Sequence, residues 1–158
     1  MKMIMPCLWF DGQAEEAAQF YISVFKNGKI EKINHFGKEG FEIHKRPAGS
    51  VMTVVFYLND QKYMGLNGGP EFKFNEAISL VVNCETQDEI DYYWEKLSQG
   101  GEQGPCGWLK DKFGVSWQVV PTIMDNLMDD SENSEKVMKA MLTMKKLNIA
   151  ELQAAGKA

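Results

Sequence analysis

The feature that most constrains this chain is an internal repeat. LWFDGQAEEAAQFYISVF from Leu8 aligns without a gap on LVVNCETQDEIDYYWEKL from Leu80, 72 residues later. Residues 8–10 and 80–82 are apolar strand ends, and Asp11 faces Asn83 where the strand has to turn. Phe20 and Tyr21 face Tyr92 and Tyr93, and Phe25 faces Leu97. Self-similarity at a fixed offset is the mark of one supersecondary unit used twice. In the first helical stretch Ala14, Ala17, Ala18, Tyr21, Val24 and Phe25 recur every three or four residues; in the second Ile90, Tyr93, Trp94 and Leu97 do so. Each set makes one apolar stripe to lay on a sheet. After each helix the period falls to two, with VMTVVFYL and KYMGL in the first half and CGWLK and VSWQVV in the second. Those runs are rich in β-branched and aromatic residues and are separated by the turn signals NDQ and DKFG. Each half therefore reads strand, helix, three strands.

Residues 122–158 depart from the repeat. DDSENSE leads into VMKAMLTMKKLNIAELQAA, whose Val137, Met138, Met141, Leu142, Lys145 and Leu147 leave an apolar stripe, with Ser134 placed to cap a helix beginning at Glu135. Such a stripe packs on its own sheet or on a second subunit, and its spacing favours core packing. The expected organisation is a first module over 1–72, a second over 73–121 and a helical extension over 122–158.

Charge and cysteine usage narrow the partners. The net charge is −5 with 17 basic and 22 acidic residues, which opposes a wide field for nucleic acid or anionic lipid. No apolar run approaches the length of a membrane span, and MKMIMPCLWFDG turns acidic too early for a signal peptide, so a cytoplasmic protein is expected. Cys7, Cys84 and Cys106 are odd in number and lack C-x-x-C spacing, which reads as free thiols.

LWFDGQAEEAAQFYISVF, FNEAISLVVNC, GWLKDKFGVSWQVVP and the tail motif MKAMLTMKKLNIAEL carry a resemblance. Over about residues 3–152 the chain resembles the vicinal oxygen chelate superfamily, in particular its PhnB-like branch, labelled 3-demethylubiquinone-9 3-methyltransferase domain. The resemblance implies an α+β fold in which two βαβββ modules form a curled mixed sheet, with C-terminal helices added and two chains paired as a homodimer. The label implies methyl transfer. Against it, the chain has no G-x-G-x-x-G and no alternating strand and helix series for a parallel sheet, and GLNGGP at 65–70 is explained as a turn after a hairpin strand.

Metal-using members of the superfamily carry four His or Glu type ligands at the centres of the first, fourth, fifth and eighth strands. The resemblance places the last ligand seven residues after the acidic residue of the closing turn, so Asp111 points to Gln118. The repeat-matched opening positions are Met5 and Ala77, or Cys7 and Ser79 with the register moved by two, and the fourth-strand position falls at 65–67. These offer no histidine or carboxylate, so no metal and no other cofactor is expected. His35 and His44 lie in or beside the second strand and read as solvent-facing. Gln118 then reads as a polar handle in a pocket for a small, partly apolar molecule, with Trp9, Tyr63, Asn67, Ser79 and Trp117 at or beside the inward positions. Cys7 has no histidine in reach to act as its base. Asp11, Glu15 and Glu16 read as capping a helix start, and Lys110, Asp111 and Lys112 as a solvated turn. The competing readings are a metal-dependent lyase, isomerase or dioxygenase of the glyoxalase type, the methyltransferase of the label, and a purely structural dimer.

Overall fold

The computed structural model describes residues 4–129 and 131–157, so the extreme ends of the expected segments 1–72 and 122–158, together with residue 130, lie outside the described residues. The chain divides into two compact units, Met1–Phe74 and Asn75–Ala158. The tail belongs to the second.

In the first unit, β1 (Cys7–Phe10) leads into α1 (Ala14–Val24), followed by β2 (Lys29–His35), the short α2 (Phe41–His44), β3 (Val51–Leu58) and β4 (Gln61–Asn67). The sheet order is β1-β4-β3-β2, with β1 parallel to β4 and the other pairs antiparallel. Only this crossover lets a strand followed by a helix rejoin a three-strand meander at its far edge. Alternation sends Leu8, Phe10, Val54, Phe56 and Leu58 to one face, where they pack with Ala14, Ala17, Ala18, Tyr21 and Val24 of α1. Tyr21 stacks on Phe56 at 6.1 Å between ring centres.

The second unit repeats the plan with β5 (Leu80–Cys84), α3 (Gln87–Ser98), β6 (Glu102–Gln103), β7 (Trp108–Lys110) and β8 (Ser116–Pro121), in the order β5-β8-β7-β6. Val82, Cys84, Leu109, Trp117 and Val119 meet Ile90, Trp94 and Leu97 of α3 in its core. Both units are thus βαβββ modules, as the repeat predicts.

The tail forms α4 (Met124–Asp129), α5 (Ser131–Met141) and α6 (Ile149–Ala155). It folds back within its own unit. Val137, Leu147 and Leu152 are buried together and are flanked by Val120, Met124, Leu127, Met128, Met141 and Met144. Leu142, assigned to the apolar stripe, is instead exposed. Ser134 falls inside α5 rather than capping it, because the helix begins at Ser131.

Candidate functional site

Each sheet has one face against its helix and one face away from it, here the far face. In the second module, strand register fixes which residues share the far face. Trp108 stands opposite Gln118, Lys110 opposite Ser116 and Val81 opposite Gln118, while Leu109, Trp117 and Val119 take the helix side. Gln118 Nε2 donates to Ser79 Oγ at 2.9 Å. The amide in an otherwise apolar strand is thus half of a polar pair on the far face. Next to it lies a cavity of about 390 Å³ lined by Trp108, Leu109, Pro105, Lys110, Ser116 and the carboxylates Glu76 and Glu102. Its size falls in the range of small-molecule pockets. Lys110 and Glu76 form an ion pair on its wall. That contact lowers the Glu76 carboxyl and raises the Lys110 ammonium from their ordinary values. Ser116 is 1% exposed and its Oγ has no hydrogen-bond partner.

The six residues singled out from the sequence separate. Ser79 and Gln118 come together. Trp9 also lies on a far face, that of the first sheet, where its Nε1 donates to Gly69 O at 2.9 Å and its ring meets Phe72 edge-on. A side chain at residue 68 would collide with that ring, its Cβ lying 2.2 Å from Trp9 Cζ2, so Gly68 exists for Trp9 and the glycine stretch opens no helix. Tyr63, Asn67 and Trp117 take the helix side. Tyr63 stacks on Phe56 at 5.5 Å, and burial raises its hydroxyl pKa. Asn67 accepts from Ala14 N and donates to Val51 O, each at 2.9 Å. Trp117 donates its indole N–H to Asp111 Oδ2 at 2.8 Å. None of the six lines the 390 Å³ cavity. The signal that finds its residues is the alternation of GWLK and VSWQVV. Once Leu109 and Trp117 are assigned to the core, Trp108, Lys110, Ser116 and Gln118 must share the other face.

Three local expectations are corrected. Asp111 is 3% exposed rather than solvated, because it accepts from the backbones of Phe113 and Val115 and from Trp117 and so builds the β7–β8 turn. Asp11 does not cap α1, whose N-cap is Gln13 with no side-chain bond; it pairs with Arg46. His44 is half-buried, its ring against Phe36 at 4.5 Å. Burial raises the thiol pKa of Cys7, and that of Cys84 to about 12, which opposes a thiolate nucleophile at either.

Among the described residues no three His, Cys, Asp or Glu side chains gather as a metal cluster. The positions that the resemblance implies for a cation carry Met5 or Cys7, Ala77 or Ser79, a residue of 65–67 and the Gln118 amide, which is already bonded to Ser79. This set does not fit a divalent cation. Nor do two mixed sheets, without a glycine-rich turn opening a helix, fit the doubly wound nucleotide site that methyl transfer from S-adenosylmethionine ordinarily uses.

Two βαβββ modules with this strand order define a vicinal oxygen chelate fold, α+β in class. The model of the 3-demethylubiquinone-9 3-methyltransferase family matches residues 2–120, and the chain belongs to that family, on its PhnB-like branch. The match stops just short of α4. The PhnB protein of Bacillus cereus is 36% identical over 77% of this chain and 100% of its own, with a TM-score of 0.66. PA1353 from Pseudomonas aeruginosa shares the fold at 22% identity and a TM-score of 0.62, over 77% of this chain and 98% of that one. So does a variant of the fosfomycin resistance protein FosX from Listeria monocytogenes, solved with Mn(II) and a dihydroxypropylphosphonic acid. It is 14% identical over 81% of this chain and 96% of that one, with a TM-score of 0.56. No curated protein matches the chain. No helix among the described residues is long and apolar enough to cross a membrane.

Proposed function

We propose that the protein is a metal-independent vicinal oxygen chelate protein that binds a small, partly apolar molecule on the far face of its second sheet. One observation carries this reading: a cavity of about 390 Å³ walled by Trp108 and Pro105 and lined also by Ser116, whose buried Oγ has no partner. Apolar walls with a few fixed polar groups are what hold and orient small molecules. The Gln118–Ser79 pair adds a donor and an acceptor in the adjoining position.

Screening a small-molecule library by thermal shift tests it. A ligand present at 100 times its Kd adds about 2.7 kcal/mol to stability. Such a shift in the wild type that Trp108→Ala abolishes supports the site, and shifts that survive Trp108→Ala sink it. Elemental analysis is the companion measurement. The expected metal content is well below stoichiometric, and one zinc, nickel, iron or manganese per chain would favour the glyoxalase-type reading instead.

A homodimer is part of the same proposal. Ile78 is 79% exposed and Val81 52% exposed, at and beside the edge strand β5. Apolar surface along a strand edge is where a second chain gains most. Light scattering that returns the 17.9 kDa of a single chain overturns this part.

A further inference from the structure

We propose that the cavity of the second module takes a small organic cation: an ammonium group on an apolar, preferably aromatic, body. The proposal rests on the reading that the far face of this sheet is the binding face, and it adds the ligand's class.

Charge is the first argument. The lining holds two carboxylates, Glu76 and Glu102, and one ammonium, Lys110. Lys110 is already joined to Glu76, and Glu102 stands across from it in the β6–β7 pair. The cavity therefore carries a surplus negative charge on Glu102. A cation neutralises that surplus and leaves the existing pair intact. A carboxylate ligand meets two like charges and has to strip Lys110 from Glu76 before gaining anything.

Shape and hydrogen bonding are the second. Trp108 presents an indole to the cavity beside these charges, and an aromatic face attracts an ammonium and stacks on an aromatic body. Ser116 Oγ is shut off from solvent and has no partner within the protein. Buried hydroxyls are nearly always hydrogen-bonded, and an unpartnered one on a cavity wall is a vacant acceptor for a ligand N–H. Lys110 and Glu76 are part-exposed, so their side chains adjust at little cost as a ligand settles.

Calorimetric titration of the full chain with three probes that share a phenylethyl body tests this: phenethylamine, 2-phenylethanol and 3-phenylpropanoate. The amine is expected to bind at least about tenfold more tightly than the alcohol, and the propanoate not to bind. Glu102→Gln, at an exposed position, should weaken the amine about tenfold, equivalent to about 1.4 kcal/mol, and leave the alcohol unchanged. Ser116→Ala should weaken the amine severalfold without lowering the melting temperature, because the hydroxyl it removes makes no bond in the fold. Equal or tighter binding of the alcohol or propanoate, amine affinity indifferent to Glu102→Gln, or no amine binding at millimolar concentration each overturns the ligand class. The binding face itself falls only if library hits survive Trp108→Ala, so the two failures are told apart.

Discussion

The two modules begin their helices in opposite ways. In the second, α3 is capped from within its own sequence: Thr86 Oγ1 accepts from Glu89 N, and the Glu89 side chain accepts from Thr86 N. In the first, α1 has no local cap, and its first amide is held by Asn67, 53 residues downstream on β4. The same supersecondary plan can thus close a helix end by sequence or by fold. The modules differ again in their meanders. β2 and β3 run seven and eight residues, whereas β6 and β7 run two and three. The tail makes up the deficit. Cys106 N donates to Met144 O and Gly107 N to Lys145 O, so tail backbone pairs with the loop that the shortened strands leave open. Gly107 sits at φ +82, and a Cβ there would lie 2.7 Å from Val119 O of β8 and 3.2 Å from Leu147 Cδ1, so glycine is what fits between β8 and the tail. Gln87 at the start of α3 fastens the same segment, donating to Leu147 O and accepting from Ile149 N.

The comparison breaks most sharply at the tail. Ending the chain at Asp129 exposes the surface that Val137, Leu147 and Leu152 cover and removes three fully buried side chains. At about 1.5–3 kcal/mol each this approaches the whole stability of a domain, although such area-based values are upper bounds. The truncated chain is expected to lose amide protection across residues 80–121 while residues 7–67 keep theirs, as read by hydrogen exchange. Uniform loss across both modules, or none, would show that the tail is not a part of the second module alone.

Next in size is the cap exchange. Asn67→Ala leaves Ala14 N and Val51 O without their partner inside the first module, at about 1–3 kcal/mol for each buried orphan. Thr86→Ala removes one exposed cap, worth about 1 kcal/mol. Chemical denaturation of the two variants should rank them in that order. Equal losses would mean that Asn67 does no more than an ordinary cap.

These differences also explain what the sequence made legible. The repeat, both helices and the strands β3, β4, β7 and β8 are written in local periodicity, so the βαβββ plan is readable, and with it the core role of residues such as Tyr21 and Ile90. Polar residues in strands were harder, because alternation is unambiguous only when one face is known to be core. Asn67 and Trp117 read from the sequence as pocket residues, and their partners, Ala14 and Asp111, are visible only once the fold brings them together. Asp111 looked solvated for the same reason: three charged residues in a row conceal which one turns inward. The cavity residues were in the text all along, but Trp108 and Trp117 alternate with opposite phase on adjacent strands. Only the register of Trp108 against Gln118 decides which tryptophan shares the cavity's face.

The smallest expected effect concerns the outermost bond of the tail clamp, Lys146 Nζ to Asp91 Oδ1 at 2.6 Å. Lys146, and then Gln87 donating at 3.1 Å, hold the Asp91 carboxyl below its ordinary value of 3.8. A carboxyl depressed in the folded state stabilises the protein at pH values above its unfolded value, and that contribution is lost as pH falls through the folded one. Both groups are largely solvated, so at neutral pH Asp91→Asn should lower the melting temperature by only about 1–3 °C. The gap between wild type and variant should persist down to about pH 4, just above the ordinary carboxyl value, close as the pH falls below it, and shrink in molar salt, which screens an exposed pair. The matching test in the first module is Glu31→Gln, which breaks the Glu31–Lys62 pair that reaches from β2 over β3 to β4 and should behave alike, because Lys62 likewise lowers the Glu31 carboxyl. A pH-independent gap for Asp91→Asn, alongside a pH-dependent one for Glu31→Gln, would mean that the Gln87 hydrogen bonds hold the tail without help from charge. The ion pair would then be a bystander on a clamp made of neutral contacts.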